Sequence, residues 1–465
     1  MSKPPLPPGP SIFTSLIWLG RLKRNALGAV DRMAQEWGDV VAIRVFGRVI
    51  VVVRGAEAAH HVLLAAQDDY PKSKLLDIVR PALGEGLVTS SGETWRRSRR
   101  IVQPLFAKRY LNEYADLMAG AAGDALDGWD QNWRDGERID LSVEIQHIGL
   151  DTITRAIGAD LLMSEADTYE PALAGALHEI GEMSRNPAIQ GGQFLGRPSV
   201  TTLAKFATPM RWRRYLRDVN QNGGLIERLV DERMEQGRGE RRDLLGLLIE
   251  AEDESDGTRL SRQQVIDEMA TFIAAGHETT AQGLSWMFLL LSNHPQALHR
   301  LHAELDQVLA GETPTAESVQ KLDWLTACLK EAMRLYPPVW VVPRMASKED
   351  VIAGFRIPKG ASVAVSIWST HRDPAIYPNP TEFVPERWLG DEPEKRARFS
   401  YLPFGGGRRA CVGQGFAMLN AGILGAMIAQ RYSFEHDPTT PIKLDPTLTL
   451  RPHGETPVSV HRRTR

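Results

Sequence analysis

The chain has 465 residues, 43 % of them hydrophobic and 24 % charged, which excludes a disordered or fibrous protein and allows a large core around a buried cofactor. A formal net charge of -3 gives no global reason to bind nucleic acid or an anionic membrane, so any charged docking surface is local. The two cysteines, Cys328 and Cys411, exclude a disulfide framework and a four-thiolate zinc site, and they fit a reducing, cytoplasmic setting.

The chain opens on a proline-rich segment, residues 1–10, followed by an apolar stretch from Ile12 to Leu19 that is too short and too interrupted to span a bilayer, so no transmembrane anchor is expected. Val40 to Phe46 and Val49 to Val53 read as two strands of a hairpin around the turn pair Gly47-Arg48. From about Arg99 to Leu335 the pattern is mainly helical, broken at Asn186-Pro187, at Gly191-Gly192 and at Gln236-Gly237-Arg238-Gly239. The cluster Arg211-Trp212-Arg213-Arg214 reads as a solvated helix face. A long helix starts at Ser261, where Ser261 and Gln264 form a capping box, and ends before His294-Pro295. It contains Ala275-Gly276-His277-Glu278-Thr279-Thr280; His277-Glu278 begins a zinc-protease motif, but Ala281 stands where its second histidine is required.

After Pro337-Pro338 the texture changes to short apolar runs, Val339 to Val342 and Ser362 to Ile367, which suggest strands between irregular loops. Near the end, Phe404-Gly405-Gly406-Gly407-Arg408-Arg409-Ala410-Cys411-Val412-Gly413 presents one cysteine where a final helix starts, and Leu448-Thr449-Leu450 reads as a closing strand. Glycines permit close backbone approach to a flat group, and N–H groups at a helix start favour a thiolate. A dinucleotide fingerprint is only loosely imitated here, and no Walker loop occurs. Cys328, in Ala327-Cys328-Leu329, reads as a buried small hydrophobe. With no repeat and no long linker, one domain over residues 1–465 is expected, mainly α with a small β region.

The loop resembles the haem-binding signature of the cytochrome P450 superfamily, Phe-x-x-Gly-x-Arg-x-Cys-x-Gly, matched at Phe404, Gly407, Arg409, Cys411 and Gly413. The resemblance implies the cytochrome P450 fold, a helical body around haem b (iron protoporphyrin IX), with Cys411 as the iron ligand. It implies that Arg409, Trp95, Arg99 and Arg344 lie at the haem propionates, Trp95 and Arg99 through the family's Trp-x-x-x-Arg helix and Arg344 in Pro343-Arg344-Met345-Ala346. Glu331 and Arg334 resemble a structural pair joined by an arginine of a Pro-Glu-Arg loop, here Arg387, bracing the cysteine loop; His371 resembles a structural turn residue. Ala275 to Thr280 resembles the oxygen-activating segment: Gly276 leaves room above the iron, the Thr279 hydroxyl bonds back to the Ala275 carbonyl, and Glu278 and Thr279 relay protons.

A haem-thiolate monooxygenase is thereby implied, inserting one atom of dioxygen into an apolar small molecule such as a fatty acid or terpenoid. The family's topology places Leu75, Leu76, Ile78, Phe272, Ala275, Val339, Trp340, Val341 and Leu448 at the substrate. About fifty residues follow Cys411, too few for a flavin domain, so electrons come from a separate ferredoxin or flavodoxin with an NAD(P)H reductase. Arg96, Arg97, Arg100 and Arg408 form a candidate docking patch for it. Two rival readings keep the haem: an enzyme that uses peroxide, against which Glu278 with Thr279 argues, and a haem carrier or sensor.

Overall fold

The computed structural model describes residues 3–45, 47–184, 186, 189, 199–236 and 243–463. Pro187, Gly191, Gly192, the 237–239 break and Phe46, all used in the sequence reading, lie outside the described residues. Prolines lack an N–H, so the opening segment pairs through its carbonyls: Pro8 accepts from the Ala42 N–H at 2.8 Å and Pro5 from the Arg356 N–H at 2.8 Å. Helices α1 (Ile12–Arg24) and α2 (Ala26–Trp37) follow, with Ser11 and Asn25 side chains accepting from the N–H groups of Thr14 and Gly28.

Strands β1 (Val40–Val45) and β2 (Arg48–Val53) form the expected hairpin, but Arg48 lies opposite Val45 in the ladder rather than in the turn. Gly47, at φ 71°, supplies the left-handed residue of that connection. The helical body comprises α3 (Gly92–Val102), α4 (Lys108–Asn132), α5 (Leu141–Ile157), α6 (Ala166–Ser184), α7 (Pro209–Gln236), α8 (Arg262–Ser292), α9 (Pro295–Leu309) and α10 (Asp323–Leu335). Strands β3 (Val341–Met345) and β4 (Ser362–Ser366) complete the first sheet in the order β1-β2-β4-β3, with β2 parallel to β4. Helix α11 (Gln414–Arg431) follows the cysteine loop, and a small hairpin of β5 (Leu444–Pro446) and β6 (Leu450–Pro452) lies near the end.

Two expected strands are shifted. β3 starts at Val341, not Val339, and so carries Arg344 in its ladder opposite Val363. Leu448 and Thr449 belong to the turn of the closing hairpin, because Leu450 already pairs with Pro446.

The spine of the body is α8, 31 residues and about 46 Å long at the usual rise per residue. Its capping box forms as expected, with Ser261 and Gln264 each taking the other's backbone N–H. Small residues let α5 approach it closely: a Cβ on Gly149 would lie 3.4 Å from the Ala281 Cβ. Pro295 opens α9 immediately afterwards, where a missing N–H costs nothing.

The Glu331, Arg334 and Arg387 trio forms with no exposure of the first two. Arg334 makes a fork on Glu331, Nε and Nη2 both at 2.8 Å, and donates onward to the carbonyls of His371, Pro380 and Glu382 at 2.7–2.9 Å. Glu331 also accepts from the Val384 N–H at 3.0 Å and the Trp388 indole at 2.9 Å, with Arg387 Nε at 3.3 Å. Removing one partner strands a buried charge. Glu331→Ala is expected to cost about 3–5 kcal/mol in urea unfolding, because Arg334 then has no counter-charge in a site closed to water.

Candidate active site

The segment leading to Cys411 hangs from that brace. His371 is fully buried beside Arg334 and Arg372, its pKa is pushed down to about 3 chiefly by burial, and it is therefore neutral, with Nε2 accepting the Leu402 N–H at 2.7 Å. Beyond Leu402 the chain turns through three glycines. A Cβ on Gly406 would meet the Phe399 ring at 2.5 Å, and one on Gly407, at φ 71°, would lie 1.8 Å from the Leu63 carbonyl. The Cys411 N–H closes the loop on the Phe404 carbonyl at 2.9 Å, and the Phe404 side chain packs against the main core.

Cys411 precedes α11 by three residues and its residue surface is exposed. The sequence leads one to expect a depressed thiol pKa there. Burial around the sulfur pushes the thiol up, while the Gly413 N–H and Arg99 pull it down as expected at a helix start. A thiol so placed gives up its proton when a metal cation takes its place. Arg99 lies close enough to act on the sulfur, and its Nη1 donates to the Ala410 carbonyl at 2.9 Å while Nε holds Gln103.

The predicted cations Arg344 and Arg409 do come together, joined by Lys72, which the sequence reading missed. Lys72 and Arg344 face each other in an isolated β-bridge. Burial, then the charge of Arg409, lowers the pKa of Arg344 to about 10; burial, then Arg409 and Arg344, lowers that of Lys72 to about 7. The Lys72 ammonium is spent on the carbonyls of Leu87, Val88 and Ser90 at 2.7–3.0 Å. Arg344 and Arg409 form no ion pair among the described residues, Arg409 Nη1 is buried without any partner, and Trp95 lies under the Arg409 guanidinium at 4.5 Å. A buried Arg344 and a half-buried Arg409, neither with a carboxylate partner among the described residues, call for an anion, which the two carboxylates of a haem supply. The thiol, the glycine loop and these arginines fit that group.

On α8, three neighbouring residues face three environments. A Cβ on Gly276 would touch Ile153 of α5 at 2.9 Å, so this glycine admits the neighbouring helix. Glu278 is buried and turned toward the closing hairpin, accepting from the Thr449 hydroxyl at 2.7 Å, with Arg451 at 4.0 Å; burial raises its pKa. It shares no hydrogen bond with Thr279. Thr279 Oγ1 donates to the Ala275 carbonyl at 2.7 Å as expected. Ala275 is exposed and Ala274, Gly276 and Thr279 are partly so, between the buried Ile273 on one side and the buried His277 and Thr280 on the other, so Ala275 and Thr279 border accessible space.

Of the expected substrate contacts, Phe272 is instead buried edge-on against Phe106 at 5.5 Å, part of the core beneath the cysteine loop. The docking patch is also reduced. Arg97 and Arg100 are tied to the 253–264 segment, Arg100 by a fork on the buried Asp253, whereas Arg96 and Arg408 are more than half exposed and meet only exposed acids. Arg344→Leu is expected to speed haem transfer to apomyoglobin roughly ten- to hundredfold, the equivalent of one charge-assisted hydrogen bond, with folding otherwise intact.

The family model "Cytochrome P450" matches residues 4–457. The chain is 33 % identical over 416 residues to cyclooctatin synthase of Streptomyces melanosporofaciens, covering 89 % of this chain and 86 % of that one. It is 31 % identical over 403 residues to cyclooctat-9-en-7-ol 5-monooxygenase of the same organism, covering 87 % and 84 %. The crystal structure of the cytochrome P450DA heme domain superposes with a TM-score of 0.85 at 26 % identity, covering 100 % of this chain and 99 % of that one. No helix among the described residues is long and apolar enough to cross a membrane. A Phe404–Gly413 loop that presents Cys411, two neighbouring arginines without a carboxylate partner among the described residues and a family match over nearly the whole chain together make this protein a member of the cytochrome P450 family, a haem-dependent monooxygenase that uses dioxygen and redox partners.

Proposed function

We propose that the chain, acting as one domain in the cytoplasm, oxidises an apolar small molecule of the fatty acid or terpenoid kind, with haem b as cofactor. A relative whose name describes a ring-containing unsaturated alcohol as its substrate supports this reading. The single observation that carries it is the Thr279 hydroxyl, set beside the exposed Ala275 in the middle of a helix whose surrounding turns are mostly buried. The overall reaction takes substrate R–H, dioxygen, two electrons and two protons to R–OH and water. The haem, when bound, supplies dioxygen binding and the redox chemistry of oxygen cleavage.

In this reading Cys411 is the iron ligand, held in place by its N–H on Phe404 and by the hold of Arg99 on Ala410. Arg344 and Arg409 take the propionates, with Trp95 stacked beneath Arg409. Thr279 keeps its own proton on Ala275 and leaves its lone pairs free to accept a hydrogen bond, so it orients a proton donor at the accessible face. Glu278, raised by burial, is a proton reserve whose path to Thr279 runs through water. Electrons come from a ferredoxin or flavodoxin with its NAD(P)H reductase, docking near the exposed Arg96 and Arg408.

Apolar compounds that displace water from the haem in difference spectra identify substrates for turnover under isotopically labelled dioxygen with a ferredoxin and reductase. One labelled atom per product molecule is the expected result, and in Thr279→Ala product formed per reduced cofactor consumed falls by roughly tenfold to a hundredfold. Peroxide-driven turnover that matches the reductase-fed rate and ignores Thr279→Ala would instead establish the peroxide-using alternative.

A further inference from the structure

The apolar stretch from Ile12 to Leu19 serves two faces of α1, and only one of them is used inside the molecule. Ser15 and Trp18 are buried and Leu19 and Leu22 pack beside them, against Met33, Val41 and Ile43; Trp18 meets Trp37 edge-on at 5.1 Å. The opposite face is open to solvent: Phe13 is 90 % exposed, Ile12 65 %, and Leu16 and Ile17 more than half. At 3.6 residues per turn these four side chains fall within an arc of about 140°, and Gly20, Lys23 and Arg24 continue the same arc to the end of the helix.

No acid occurs between Ser11 and Asn25, although the whole chain carries a net charge of -3. Arg21, Lys23 and Arg24 are exposed and form no ion pair among the described residues; Arg21 lies over the Trp18 ring at 4.6 Å. The exposed apolar pair Phe206 and Met210 has a different setting, since the nearby Arg211 and Arg214 are ion-paired, Arg211 with Glu179 at 3.0 Å and Glu182 at 3.2 Å and Arg214 with Glu179 at 2.5 Å.

We propose that the open face of α1 docks the protein on an anionic phospholipid surface, Ile12, Phe13, Leu16 and Ile17 entering among the acyl chains and Lys23 and Arg24 meeting the headgroup phosphates. An apolar end followed by an unpaired basic end on one arc is the pattern an interfacial helix requires. A neutral protein partner would bury the apolar end equally well but would leave Lys23 and Arg24 without counter-charges, which anionic headgroups supply beside the apolar end.

The test is flotation of the haem-loaded full chain with phosphatidylcholine vesicles, with and without phosphatidylglycerol. The expected result is binding to the anionic vesicles that weakens with salt and drops about tenfold or more in Phe13→Ser/Leu16→Ser/Ile17→Ser and in Lys23→Glu/Arg24→Glu. Both variants should keep the haem spectrum of the wild type, since these side chains touch nothing in the core. Wild type that stays with the soluble fraction overturns the proposal, as does equal flotation of the variants. A dimer that dissociates in the serine variant, without vesicle binding, overturns it in favour of a second copy of this chain.

Discussion

Glu331 and Arg334 are wholly withdrawn from water, and such a pair holds a fold together only if every remaining oxygen and N–H finds a partner. Here each partner belongs to a segment that would otherwise be free loop: the His371 turn, the 380–384 stretch and Trp388 all terminate on these two side chains. His371 carries the constraint forward, since the residue that gives its carbonyl to Arg334 gives its ring to the Leu402 N–H. Three residues later the glycine turn begins that presents Cys411. The position of a reactive sulfur is thus set from α10 through a chain of charge-assisted and neutral hydrogen bonds.

Helix α8 solves a second problem, that of being both structural spine and chemical surface. Successive residues on a helix point about 100° apart, so the packing demand, the acid and the alcohol can be separated by sequence position alone. Gly276 answers to Ile153, Glu278 to Thr449 and Arg451, and Thr279 to the open side with Ala275. The consequence is that the carboxyl and the hydroxyl, though adjacent in sequence, have different partners and share no hydrogen bond.

Most of this was legible in the residues that carry strong local rules. The capping box of α8 and the hairpin near residue 40 were readable because spacing determines their geometry, whereas the brace at Glu331 and Arg334, whose spacing alone says nothing, was readable through the family resemblance. What escaped was set by contacts across the fold. Lys72 in Pro71-Lys72-Ser73 has no signal of its own and acquires meaning only when the chain lays it opposite Arg344. The contacts of Gly276 with Ile153 of α5 and of Phe272 with Phe106 likewise have no local signal and follow from how distant segments pack. The thiol of Cys411 reads as acidic from its helix start, yet burial outweighs those few N–H groups.

The central claim is that Cys411 holds the iron of the haem as a thiolate. The most direct measurement is the absorption spectrum of the dithionite-reduced protein with carbon monoxide, recorded for the wild type and for Cys411→Ser. The account predicts a strongly red-shifted Soret band in the wild type that the serine variant loses. A histidine-type band in the wild type, or a red-shifted band that survives Cys411→Ser, would contradict it.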